Sequence, residues 1–232
     1  MNEPATLFGG LPPSKFNVIL CDFPWQFKSY DREGVPQTAE EQHYETMTIA
    51  DGMKLPVGDL ATSDAALFMW STSSHIEHCF DLAKAWGFRY STKAFCWAKL
   101  NKHAEENQRR RFDHYLKDMG GKLDLPEIAD LSNWFMGMGY GSRRNTEDCW
   151  LFTRGKPERR LFDRDGELKK DQSVRELIVA PVGDHSRKPA ETYDRIERMF
   201  GGPYLELFAR NSRIGWQAWG NETGKFDHAG HR

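Results

Sequence analysis

Cysteine is scarce in this chain of 232 residues, and neither a long apolar run nor an excess of positive charge is present. The four cysteines, Cys21, Cys79, Cys96 and Cys149, form no Cys-x-x-Cys pair, and their spacing suits no zinc site. Three of them lie in apolar, strand-like or helical runs and read as small buried hydrophobes. A formal net charge of −2 gives no global positive field. Any nucleic-acid partner must therefore be held by local basic patches. No basic segment followed by an apolar run opens the sequence, so no signal peptide is expected. The longest apolar stretches are strand-sized, so no membrane span is expected. Together these features predict a protein of the reducing cytoplasm. The Gly-x-x-x-x-Gly-Lys-Ser/Thr pattern is missing, which rejects a phosphate-binding loop. Gly-x-Gly-x-x-Gly after a strand is missing too, which argues against a nicotinamide enzyme.

What is present is a series of apolar strands. Phe16 to Cys21 is a continuous apolar run that reads as a buried strand ending at Asp22. Ala65 to Trp70, Tyr90 to Ala98, Asp148 to Thr153, Glu176 to Val182, Tyr204 to Phe208 and Gly215 to Trp219 read as further strands. Ser74 to Trp86 has helical apolar spacing, with Gly87 as its stop. Pro189 is placed to open the first turn of a second helix. Strands alternating with helices predict an α/β sheet, with one domain over 1–232. The pattern lapses at about 100–138, which reads as an inserted loop or polar helix, and residues 223–232 read as a flexible tail. Eight tryptophans give a generous aromatic content.

Four constellations carry chemistry. Asp22-Phe23-Pro24-Trp25 stands at the carboxyl end of a buried strand, the edge at which open α/β sheets bind ligands. An amino group conjugated to a purine ring is a poor nucleophile, because its lone pair is delocalised. Acceptors on both N–H bonds, the Asp22 carboxylate and the Phe23 carbonyl, would free that lone pair. Pro24 fixes the turn, and Trp25 offers a face for an extruded base. In isolation the tetrad reads equally well as a helix-capping Asp before a proline turn.

His185-Ser186-Arg187-Lys188-Pro189 places Lys188 beside a helix start, an anion site or an ordinary capped turn. Glu206 interrupts the apolar strand Tyr204 to Phe208 near its carboxyl end, where an acid can take ribose hydroxyls or simply face solvent. The Gly139 to Glu147 segment is glycine-rich and basic. Arg143 and Arg144, with Arg109, Arg110 and Arg111, are candidates for a phosphate backbone, although such runs are commonly solvated turns. His75, His78 and Cys79 have helical metal-ligand spacing, but nothing completes a site, and no metal is predicted. His228 and His231 fall in the tail.

Taken in order, these segments resemble the DPPW-type adenine methyltransferases of the MT-A family. The resemblance runs over ILCDFPW, HYETM, ALFMWST, FCWAKLN, GYGSRRNTEDCWLFTRGKP, LIVAPVGDHSRKPAETYDRIERM, YLELFAR and WGNE. It implies a Rossmann-like methyltransferase sheet in permuted order, the catalytic motif first and the cofactor motif late, with helices on both faces. It implies S-adenosylmethionine as cofactor and the N6 amino group of adenine as acceptor. Asp22 becomes the catalytic acceptor, near the cofactor's amino group. Lys188 lies between cofactor and base. Glu206, Arg210, Asn211 and Asn221 surround the cofactor, and Tyr44 and Glu147 line the base pocket. Phe23 departs from the family's usual proline, which removes a ring constraint from the corner. The compact chain favours DNA over RNA as substrate. An RNA adenosine methyltransferase and a degenerate binding subunit are the competing readings, and a homodimer or a partner subunit is compatible with each.

Overall fold

The computed structural model describes residues 8–26, 46–104, 106–107, 109, 134–137, 142–159, 174–183 and 187–224. Its elements are β1 (Phe16–Cys21), α1 (Ile49–Lys54), α2 (Val57–Leu60), β2 (Ala61–Ser71), α3 (Ile76–Ala85), β3 (Arg89–Leu100), β4 (Thr146–Arg154), β5 (Leu177–Pro181), α4 (Glu191–Met199), β6 (Tyr204–Leu207) and β7 (Trp216–Trp219). Among the described residues, seven strands form a sheet in the order β5-β3-β4-β2-β1-β6-β7. Pairing is parallel for β1 with β2, β1 with β6, β3 with β5 and β6 with β7, and antiparallel for β2 with β4. The fold is a mixed, mostly parallel α/β sheet flanked by helices, of the Rossmann-like methyltransferase type. No helix among the described residues is long and apolar enough to cross a membrane.

Two compact units make up the chain. The first comprises Met1–Ala94, Asp148–Val174 and Tyr193–Arg232, and the second Phe95–Glu147 and Arg175–Thr192. In the first unit β1 is apolar at almost every position because it is covered on both faces, as parallel strands are. Phe16, Val18, Ile19, Leu20 and Cys21 are all buried. The register sets Cys21 opposite Met69 of β2 and Leu207 of β6, so the carboxyl ends of β1 and β6 are neighbours. At the other end, the Asn17 side chain donates to the Gly202 carbonyl at 2.8 Å across 185 residues of sequence.

The local chemistry explains where helices stop. Gly87, at φ 83°, ends α3, with Phe88 N–H bonded to the Ala83 carbonyl and Gly87 N–H to that of Lys84. The helix begins at Ile76 rather than Ser74, because Thr72 and Ser74 turn their hydroxyls to His75 instead. Two helices escape the periodic reading. α1 has six residues and α2 four, too few to show a period. α1 does carry a start signal, since the Thr48 hydroxyl accepts from Asp51 N–H at 3.1 Å. Pro189 precedes α4 by two residues rather than opening it, and its carbonyl accepts from Thr192 N–H.

Candidate active site

β1 lies between β2 and β6, so the chain leaves it toward opposite sides of the sheet, and the crevice beyond its carboxyl end is the expected ligand position. Asp22 is the first residue past that end. Its Oδ2 lies 3.5 Å from Nη2 of Arg210, with both side chains largely buried. The tetrad then turns tightly, with Trp25 N–H donating to the Phe23 carbonyl at 2.8 Å. That oxygen has a second lone pair able to accept another donor. The Pro24 carbonyl accepts from Met47 N–H at 3.0 Å.

The aromatic members of the tetrad face inward. Phe23 is 2 % exposed and sits edge-on to Phe208, with ring centroids 5.3 Å apart. A Cβ added at Gly52 would stand 2.6 Å from Cζ of Phe23, so glycine on α1 makes the slot that the ring fills. Trp25 is 4 % exposed and stacks on His75, at 5.1 Å between centroids and 23° between planes. This corrects the expectation that Trp25 presents a face to an extruded base. Its flat surface is packed on a histidine because the sheet edge leaves an apolar recess there. Its indole N–H is buried without a hydrogen-bond partner among the described residues.

β6 supplies the second part of this cluster. Glu206 is buried on an interior strand, not solvent-facing on an edge. Tyr193 of α4 donates to its Oε1 at 2.9 Å. Burial, reinforced by Glu206, pushes the Tyr193 phenol well above its ordinary range, so the phenol remains a donor. The Asn211 side chain also hydrogen-bonds Tyr193. After Leu207 the chain turns through Phe208, a non-glycine residue at φ 60°. Gly220 permits this, because a Cβ there would lie 2.6 Å from the Ala209 carbonyl. The turn returns Arg210 to Asp22. Asn221 is exposed in the turn after β7.

The second unit holds a separate buried cluster. Glu147 lies 2.7 Å from Lys99 and 3.0 Å from Lys188, all three side chains being mostly buried. Burial alone would raise the Glu147 pKa. The two ammonium groups outweigh it and hold the carboxyl below its usual range. Lys188, expected at a helix start as an anion site, pairs here with the Glu147 carboxylate. Lys99 also lies over the Trp97 ring at 4.8 Å. Arg143 and Arg109 are exposed, and Arg144 is partly covered and bridges to Gly137. Tyr44, Arg110, Arg111, His185, Ser186, His228 and His231 lie outside the described residues.

Three participants were not singled out from the sequence as site residues. Tyr193 stands three residues before Ile196, so helical spacing does place it on the inward face of α4. Lys99 and His75 carried no such signal, being a lysine within an apolar strand and a histidine discounted as a metal ligand.

A Rossmann-like sheet with an acidic, proline-containing turn at the carboxyl end of its first strand is an arrangement that suits a methyltransferase. The chain belongs to the MT-A70 family, whose model matches residues 16–125 and 129–222. It is similar to the Type II methyltransferase M.MunI of a Mycoplasma species, 26 % identical over 96 % of this chain and 84 % of that protein. It is also similar to the mouse N(6)-adenine-specific methyltransferase METTL4, 26 % identical over 92 % of this chain but 38 % of the relative. A zebrafish relative, the N(6)-adenosine-methyltransferase subunit METTL3, is 26 % identical over 90 % of this chain and 28 % of its own length. The chain thus spans most of the bacterial relative and well under half of the animal ones.

Proposed function

We propose that this protein transfers the methyl group of S-adenosylmethionine to the N6 amino group of adenine in DNA. The observation that carries the reading is the Asp22–Arg210 pair at the end of β1, one carboxylate and one guanidinium 3.5 Å apart beside the buried Glu206. This donor set fits the cofactor's chemistry. Asp22 suits its ammonium, Arg210 and Asn211 its carboxylate, Glu206 its ribose hydroxyls, and Asn221 its nucleoside. When bound, S-adenosylmethionine supplies an electrophilic methyl on a good leaving group.

The protein's own work is positioning, which contributes about 7–11 kcal/mol where alignment is good. Asp22 and the second lone pair of the Phe23 carbonyl accept the two N–H bonds of the target amine. They thereby stabilise the positive charge that develops on nitrogen. Pro24 holds the turn. Trp25 acts from beneath it, as a foundation. Tyr44 and Glu147 are assigned to the base pocket, and Lys188 to a place between cofactor and base, as the family resemblance implies. Arg109, Arg110, Arg111, Arg143 and Arg144 are assigned to the phosphate backbone. A base within a duplex must be flipped out at a cost of a few kcal/mol.

DNA is favoured because, of the relatives named above, the bacterial Type II methyltransferase is the one whose length this chain mostly spans. The test is transfer of labelled methyl to unmethylated DNA and to RNA, with Asp22→Ala beside the wild type. Label in DNA adenine that the variant abolishes supports the proposal. Label in RNA alone replaces DNA by RNA as substrate. No transfer and no cofactor binding by the wild type would sink it and favour a non-catalytic subunit.

A further inference from the structure

The geometry points to His75 as a positioning residue for the catalytic corner, an assignment that rests on the reading of Asp22 to Trp25 as that corner. His75 is the residue before α3, where a side chain ordinarily caps the helix. It makes no capping hydrogen bond. Its ring is 7 % exposed and is turned toward the tetrad. Three contacts fix it. The ring plane stacks on Trp25. Nε2 lies 3.2 Å from the Gln26 carbonyl. Nδ1 lies 2.9 Å from the Thr72 hydroxyl and 3.0 Å from that of Ser74.

A carbonyl only accepts, so Nε2 carries a proton and donates it to Gln26. Nδ1 is hydrogen-bonded to hydroxyls, which can donate or accept. Thr72 and Ser74 are also 3.2 Å from each other, so one can donate to the ring and the other to its neighbour. The ring thus ties the turn after β2 to Trp25, the last residue of the corner, through its face, and to Gln26, the next residue, through its edge.

The arrangement answers a specific need. Phe23 stands where a second proline ring would stiffen the turn, and a tetrad with one proline has more backbone freedom. The reacting amine must meet the Asp22 carboxylate and the Phe23 carbonyl together, and a misplacement of about 1 Å costs about 100-fold in rate. Phe23 is seated from one side by the Gly52 slot. His75 holds Trp25 and Gln26 from the other side. The corner is clamped by core packing rather than by a second ring in the main chain.

Two variants separate the contacts. His75→Phe keeps a ring for the stack and loses both hydrogen bonds. His75→Gln keeps a donor toward Gln26 and loses the stack. Each is compared with wild type for thermal unfolding, cofactor binding, kcat and KM on DNA. Hydrogen exchange of the peptide spanning residues 22–26 is measured alongside. The expected result is a folded protein, cofactor affinity close to wild type, kcat lower by about 10- to 100-fold with KM little changed, and faster exchange at residues 25 and 26. Wild-type kcat in His75→Phe would overturn the assignment while leaving the proposed function standing. If the wild type itself transfers no methyl group, exchange decides: faster exchange in the variants supports the clamp, and unchanged exchange overturns it. If one variant does not fold, the other and Thr72→Val, which removes a hydroxyl partner of Nδ1, are read by the same two measurements.

Discussion

Tyr193 donates its phenol to Oε1 of Glu206 at 2.9 Å, and both residues are buried. The bond links α4 to β6 and orients the carboxylate proposed to take the cofactor ribose. Removing it with Tyr193→Phe leaves a buried carboxylate short of one donor. A hydrogen bond to a charged group contributes about 1.5–3 kcal/mol. Cofactor binding measured by calorimetry is expected to weaken roughly tenfold or more, with α4 still folded by circular dichroism.

Asp22→Asn keeps the shape of the side chain and removes its charge. Arg210 loses its carboxylate partner, and the target amine loses its strongest acceptor. Methyl transfer is expected to fall by about 100- to 1,000-fold, the scale seen when one preorganised stabilising group is removed from a reaction centre. Single-turnover measurement of labelled methyl transfer checks this without interference from product release.

Glu147 gives a pH prediction. Burial opposes its ionisation, but Lys188 and Lys99 together hold its folded pKa below the ordinary value. A depressed carboxylate pKa stabilises the fold above the unfolded value of about 4.3. That contribution is lost as pH falls through the lower, folded value. Glu147→Gln removes the carboxylate that Lys99 and Lys188 share and is expected to cost about 3–5 kcal/mol at pH 7. Denaturant unfolding at several pH values should show the gap between wild type and variant closing on acidification below about pH 4.

Gly52→Ala puts a methyl group where the Phe23 ring lies. Overpacking of this kind costs about 1–3 kcal/mol. In a Phe23→Leu background the ring edge is gone, so the same substitution should cost less. The two changes are therefore expected to be non-additive in denaturant melts. Additivity would mean that the slot is not filled by that ring.

Arg143 is exposed in the second unit and is proposed as a phosphate contact. Arg143→Ala should weaken DNA binding without changing sequence preference, and should reduce the slope of log affinity against log salt by about 1. Fluorescence anisotropy across a salt series reads both quantities.

Most of the sheet is legible in the sequence because its strands are unusually apolar. β1 is found with both boundaries intact, since Asn17 is the one polar residue between Phe16 and Cys21. β2 is longer than its apolar centre, because Thr62, Ser63 and Asp64 are polar and yet continue the strand. α1 and α2 are missed for want of length. The Asp22, Glu206 and Arg210 cluster is legible through order and residue type. The inward turn of Trp25 is not, because a tryptophan beside a ligand crevice and one beneath it look alike in one dimension. The roles of His75, Lys99 and Tyr193 depend on partners far away in sequence, which no local pattern records.

The hydrogen bond from Asn17 to Gly202 closes 185 residues of chain and belongs to the pairing of β1 with β6. On the ribosome, Asp22 is made 188 residues before Arg210, at a synthesis rate of about 5–20 residues per second. The nascent chain therefore holds the Asp22 carboxylate for roughly ten seconds or more with Arg210 not yet made. During that interval β1 has, of its two partners, only β2 to pair with, and its other edge is an open, largely apolar template for aggregation. Completion of β6 both covers that edge and supplies Glu206, so protection from misassembly and the proposed cofactor contact arrive in the same step of synthesis.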